Sequence, residues 1–160
     1  MPADVNFPSS PSPKLLVLVA ALLAGCLVAA CSPSKEVNYT PPDARPGPAI
    51  NHFSFSKMIV DGKAFNEMDI AISSDGKVVP WQIGTVHVVV PADIEALIGP
   101  STRVLIIGTG ANGVSKVGAD ALARAEAKGV KVHVLDTAEA VKLFNKMPKD
   151  GLAAAFHTGC

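Results

Sequence analysis

The strongest chemical signal in the chain is Gly108-Thr109-Gly110-Ala111-Asn112-Gly113, which follows the apolar run Val104 to Ile107, with Asp136 placed 23 positions beyond the last glycine (113 to 136). That spacing matches the dinucleotide fingerprint, in which glycines let backbone N–H groups approach a pyrophosphate and an acidic residue takes the ribose hydroxyls. The same chemistry asks for a helix that opens at the last glycine, because the phosphates rest on its positive end. Here Val114-Ser-Lys-Val-Gly118 comes first. The glycines serve equally well as a tight strand-to-helix connection, and Asp136 with Glu139 three residues on has the spacing of a capping box. Two readings therefore stand. Gly108, Thr109, Gly110, Asn112, Gly113 and Asp136 form either a nucleotide or NAD(P) loop or a turn and a helix cap. The turn is the expectation, and no cofactor is assigned.

Other reactive side chains are dispersed. His52, His87, His133 and His157 form no ligand pair at helical spacing, and His157-x-x-Cys160 offers two donors at a chain end, too few for a closed site. No metal is expected. His87, among valines, reads as a surface or hydrogen-bonded strand histidine. Ser115-Lys116 lacks the order of a phosphate-binding P-loop, in which Lys follows the last glycine directly. No serine stands in a nucleophile-elbow context and no carboxylate pair is placed for acid/base work, so no catalytic residue is assigned. Trp81 after Pro80 reads as a packing residue between strands.

The elements that hold these residues follow from hydrophobic periodicity. Met58 to Val60 and Lys63 to Phe65 flank Asp61-Gly62, and Ile70 to Ile72 and Lys77 to Val79 flank Asp75-Gly76, so two antiparallel hairpins are expected. A further strand is expected over 85–90, with Val86, Val88 and Val90 on one face. Together these make an antiparallel meander. Helical spacing then places Ile94, Leu97 and Ile98 on one side of a helix over 92–98, stopped by Gly99-Pro100. Strands at 103–107 and 130–135 bracket a helix at 119–128. A third helix starts after Asp136 or Thr137, and a last strand runs from Leu152 to Phe156. Alternating strands and helices imply parallel neighbours with right-handed crossovers. The fold class is α/β: one small domain in which antiparallel hairpins lead into a βαβ-containing mixed sheet with helices packed on it.

Composition narrows the function classes. The 160 residues hold 14 Lys plus Arg and 14 Asp plus Glu. No basic excess exists to neutralise phosphates, so nucleic acid is not an expected partner. Residues 1–31 differ from the rest: Lys14 precedes an apolar run from Leu15 to Ala30, shorter than the roughly 20 residues a spanning helix needs. Small residues before cysteine resemble a bacterial lipobox, at Val28-Ala-Ala-Cys31 or alternatively Leu23-Ala-Gly-Cys26. Cys31 is favoured because polar Ser32 to Lys35 follows it. The expected location is the periplasmic side of a bacterial membrane, held by a lipid. An uncleaved inner-membrane signal anchor is the alternative, with a cytoplasmic location if the signal is unused. Residues 32–49, with Pro33, Pro41, Pro42, Pro46 and Pro48, read as an extended tether unable to bury a core. The folded domain is expected over 50–160.

Across 50–160 the chain resembles the Mth-type domain-of-unknown-function family, which contains the mitochondrial complex I assembly factor 3 and the adipogenesis-associated Mth-type domain protein. The resemblance rests on Ile50-Asn-His-Phe-Ser-Phe with Val60-Asp-Gly62, Trp81 with His87 downstream, and Val104-Leu-Ile-Ile-Gly-Thr-Gly110. It continues through Gly129-Val-Lys-Val, Asp136 to Asn145, and the closing Ala153-Ala-Ala-Phe-His157-x-x-Cys160. It implies a three-layer α/β fold with a mixed central sheet, a Gly-Thr-Gly turn that is structural, and no assigned catalytic residue. It also implies an assembly or accessory role toward a membrane complex, through a protein partner whose identity it leaves open. The family's better-known members are intracellular or mitochondrial, whereas this chain carries a lipoprotein-type leader.

Overall fold

The computed structural model describes residues 36–40, 46–85 and 87–159. The leader with Cys26 and Cys31, and the terminal Cys160, lie outside the described residues. The chain builds β1 (Val37–Asn38), β2 (Ile50–Ser54), β3 (Lys57–Val60) and β4 (Lys63–Asn66), which pair antiparallel in that order. Asp61 and Gly62 both take positive φ, 48° and 78°, as a two-residue type I′ hairpin requires.

A five-stranded mixed sheet contains β5 (Asp69–Ile72), β6 (Val78–Trp81), β8 (Val104–Thr109), β10 (Lys131–Leu135) and β11 (Leu152–His157), in the order β10-β8-β11-β5-β6. The three strands β10, β8 and β11 are parallel, while β5 and β6 are antiparallel additions. Two short strands, β7 (Val88–Val89) and β9 (Lys116–Val117), pair in parallel as a separate ribbon. Helices α1 (Pro91–Ile94), α2 (Ala119–Ala127) and α3 (Thr137–Lys146) complete the fold.

Period-two alternation sorts the central sheet into two cores. Ile70, Ile72, Ile106, Ala154 and Phe156 pack with Ala138, Val141 and Phe144 of α3 and with Ile50, Phe53, Met58 and Val60 of the four-stranded sheet. On the other face, Ala71, Leu105, Ile107, Ala153 and Ala155 meet Ile94, Leu97 and Ile98 at α1 and Ala121 and Ala125 of α2. Small alanines along β11 let helices approach both faces. This is the expected α/β sandwich of a mixed sheet between helical layers, with the second sheet sharing the α3 side.

Four expectations are corrected. The meander is split, because its first hairpin joins the four-stranded sheet and its second joins the mixed sheet. The second hairpin uses a five-residue connection, 73–77, closed by Ser73 N donating to Lys77 O, and only Gly76 takes positive φ there. The strand expected over 85–90 is reduced to Val88–Val89, preceded by a turn in which Val88 N donates to Thr85 O and His87 stands at φ 57°. The Asp93 carboxylate brackets that turn by accepting from Gly84 N and Val90 N, which outweighs the β preference of valine. The helix expected over 92–98 spans only Pro91–Ile94 and continues as turns, with Leu97 N and Ile98 N both donating to Ile94 O and the Thr102 hydroxyl donating to Leu97 O at 2.7 Å. Its apolar residues are nonetheless buried, as their spacing required.

The stretch read as tether also departs from expectation. Val37 is buried and Val37–Asn38 pairs with Phe53 and His52, because β2 leaves one edge open to a short strand. Residues just before Ile50 are tied in as well, with Ala49 N donating to Asp61 Oδ1.

Candidate site at the carboxyl ends of the parallel strands

Open α/β sheets bind ligands beyond the carboxyl ends of their strands. At that edge the glycine connection leaves β8. Gly108 is required by close approach: a Cβ there would sit 2.8 Å from Thr137 Oγ1 and 3.2 Å from Phe156 Cδ1. Gly110 and Gly113 take φ 105° and 67°, which glycine adopts freely. The amides that a phosphate would need are used by the chain itself. Gly110 N donates to Thr137 Oγ1 (2.9 Å), Ala111 N to Gly159 O (2.7 Å), Gly113 N to Gly110 O (3.2 Å) and Ser115 N to Thr109 O (3.0 Å). Thr109 donates its hydroxyl to Leu135 O. Asn112 is exposed.

Asp136 is the N-cap of α3, its Oδ1 accepting from Glu139 N at 2.9 Å. Helix α2 begins only at Ala119, after β9, so its N-terminus does not open at Gly113. The six residues singled out by the fingerprint are thus brought to one edge of the sheet, where the geometry uses them as a turn and a cap.

Beside the loop lies a second constellation that linear spacing did not disclose. His157 ends β11 and Asp69 opens its antiparallel neighbour β5, so their side chains meet although 88 positions separate them; Nδ1 and Oδ2 are 2.6 Å apart. Asp69 Oδ1 also accepts from Thr158 N at 2.7 Å. An ionised carboxylate only accepts, so Nδ1 carries the proton and the lone pair of a neutral ring is left on Nε2. The His87 ring stands against the His157 ring, centroids 6.1 Å apart at 66°. Among the described residues, three of the four non-glycine residues with positive φ surround this corner. These are His87 itself, Ser56, whose N donates to Thr158 O, and Glu67, two residues before Asp69. Such backbone strain gathers at functional sites. The exposed side chains of Phe55 and Met68 belong to the same loops.

Two buried side-chain polar atoms among the described residues have no partner, Ser115 Oγ and His157 Nε2. The second lies in this corner, and the backbone of Ser115 is tied to it: Ser115 N donates to the carbonyl of Thr109, the register partner of His157, and the next amide, Lys116 N, donates to His87 O. Among the described residues no three His, Cys, Asp or Glu side chains converge as a metal set.

Elsewhere the electrostatics are those of surface ion pairs. Hydrogen bonds from Arg124 and Lys128 hold the Glu95 carboxyl down to about 2, and hydrogen bonds from Ser73 and Lys77 do the same for Asp75. Both carboxylates are exposed. A cavity of about 680 Å³, mostly apolar, lies at the opposite end of the sheet beside Ile72, Phe144, Met147 and Leu152, away from the histidines.

Comparison with known proteins gives one consistent result. Residues 50–157 match the model of a family described as protein of unknown function (DUF498/DUF598). The crystal structure of the conserved hypothetical protein PH1505 from Pyrococcus horikoshii OT3 is 27% identical, with a TM-score of 0.63, and the match covers 69% of this chain and 98% of that one. A protein named MT938 is 25% identical at a TM-score of 0.60, covering 71% of this chain and all of that one (100%). The solution structure of a Mth938-like domain protein from Bordetella pertussis is 17% identical at a TM-score of 0.56, covering 76% of this chain and 92% of that one, and shares the fold.

Proposed function

The chain belongs to the DUF498/DUF598 family, an Mth-type domain of unknown function, and from that premise we propose that it is a membrane-tethered binding or assembly module, an accessory factor for a membrane complex such as a respiratory one. The observation that carries the module reading over the nucleotide reading is the use of loop amides: Gly110, Ala111, Gly113 and Ser115 all donate within the chain. A pyrophosphate would have to displace these bonds, each contributing about 1 kcal/mol. The tether is supported by the apolar run from Leu15 to Ala30 that leads into Cys31.

Three experiments test the proposal. Intact mass with membrane fractionation should find an acylated N-terminus at Cys31; full-length unmodified chain in the soluble fraction would remove the tether. Blue-native gels of membranes from a deletion strain should show a complex lost or stalled, and normal assembly of every complex would remove the accessory role. A nucleotide panel should leave the melting temperature unchanged, and a rise abolished by Gly110→Val would restore the nucleotide reading.

A further inference from the structure

We propose that the His157 corner is a transition-metal site in which His157 Nε2 and the His87 imidazole bind a divalent ion of zinc type. The proposal is independent of the tether and the accessory role. Its first ground is the orientation of His157. Metal-ligating histidines commonly donate their other ring N–H to a carboxylate, which fixes the tautomer and raises the basicity of the metal-binding nitrogen. Asp69 Oδ2 does this at Nδ1, 2.6 Å away. The carboxylate is itself positioned, by Thr158 N at 2.7 Å and Thr158 Oγ1 at 3.3 Å.

Its second ground is the pair of unpartnered buried atoms. Nε2 presents a lone pair and Ser115 Oγ a hydroxyl, both shielded and both within the framework of Thr109, His157 and His87. Whatever meets either atom must be small, since neither is open to a substrate-sized molecule. A metal ion on Nε2 gives that nitrogen the partner it lacks. An organic nucleophile reaction at Ser115 does not fit, because the residue is 3% exposed.

The third ground is His87. Its ring is held beside His157 by a backbone at φ 57°, an uncommon conformation for a side chain of that size. Two imidazoles about 6 Å apart by centroid bracket one ion with a small ring movement. Imidazole suits zinc, copper and nickel, and the remaining positions would be filled by solvent.

The test is isothermal titration of the purified full chain with ZnCl2 near neutral pH, alongside metal analysis and thermal melts. One ion per chain and a metal-dependent rise in melting temperature are expected. His87→Asn, which suits a positive φ, and His157→Gln should each abolish saturable binding. Asp69→Asn should weaken it about 10- to 100-fold, the usual effect of losing a supporting carboxylate. His133→Gln, on β10, should leave it unchanged. His87→Asn keeps the test decisive if His157→Gln fails to fold. Absence of saturable binding, unchanged affinity in the His87 and His157 variants, or stabilisation by phosphate or acetate in place of zinc would overturn the proposal.

Discussion

Thr137 Oγ1 donates to His157 O at 2.6 Å and accepts from Gly110 N at 2.9 Å, so one buried hydroxyl ties the first turn of α3 to the end of β11 and to the glycine connection. This single side chain occupies the Gly110 amide that a phosphate at the glycine turn would use.

Thr137→Val keeps the shape and removes both bonds, leaving two buried backbone groups unpaired. A loss of about 2–4 kcal/mol is expected, from roughly 1–2 kcal/mol per orphaned group. Urea unfolding measures it. Thr137→Ser should recover most of the stability, because it restores the hydroxyl and forgoes only one methyl, worth about 1 kcal/mol. Equal destabilisation by both variants would show that packing and not hydrogen bonding sets the cost.

Asn145 plays the corresponding part at the other sheet. Its Oδ1 accepts from Ile50 N at 3.0 Å and its Nδ2 donates to Ile50 O at 2.8 Å, so a helix side chain pairs with the first residue of β2 as a strand would. Asn145→Ala should cost about 2–4 kcal/mol. Asn145→Asp supplies an acceptor but no donor and should also destabilise. The readout is the shift in denaturation midpoint.

Trp81 is the single tryptophan, 7% exposed, with Nε1 donating to Asp93 O at 2.8 Å. Its fluorescence should therefore be blue-shifted in the folded chain and move to the red on unfolding. Trp81→Tyr or Trp81→Phe removes that bond and leaves the Asp93 carbonyl at the turn without it, for a loss of about 1–2 kcal/mol.

Glu95 joins α1 to α2 through Arg124 (2.8 and 3.0 Å) and Lys128 (2.7 Å). Its carboxyl is lowered from 4.5 to about 2. A lowered acid contributes stability above its unfolded value and loses it as pH falls through the folded one. The difference in melting temperature between the native chain and Glu95→Gln should therefore be present at neutral pH and fade between about pH 4.5 and pH 2. The effect is small and shrinks with added salt, because the groups are exposed. A difference that persists unchanged at pH 2 would exclude the ion pair as its source.

Local sequence determined the elements whose cause is local. Asp61-Gly62 requires positive φ, and Gly129 at φ 71° stops α2. Asp136 and Glu139 stand at capping distance, and the alternating apolar residues of β8 and β11 mark strands buried on both faces. The six residues of the glycine fingerprint were also legible, although their spacing is equally that of a turn and a cap. Whether the amides of that turn are vacant depends on Thr137 and Gly159, which arrive from other elements. The short β7–β9 ribbon and the turn at His87 were hidden for the same reason, since Asp93 holds the turn and the strand that pairs with Val88–Val89 arrives from 116–117. Only tertiary structure set Asp69 against His157, because an antiparallel strand laid beside β11 brings the start of one to the end of the other.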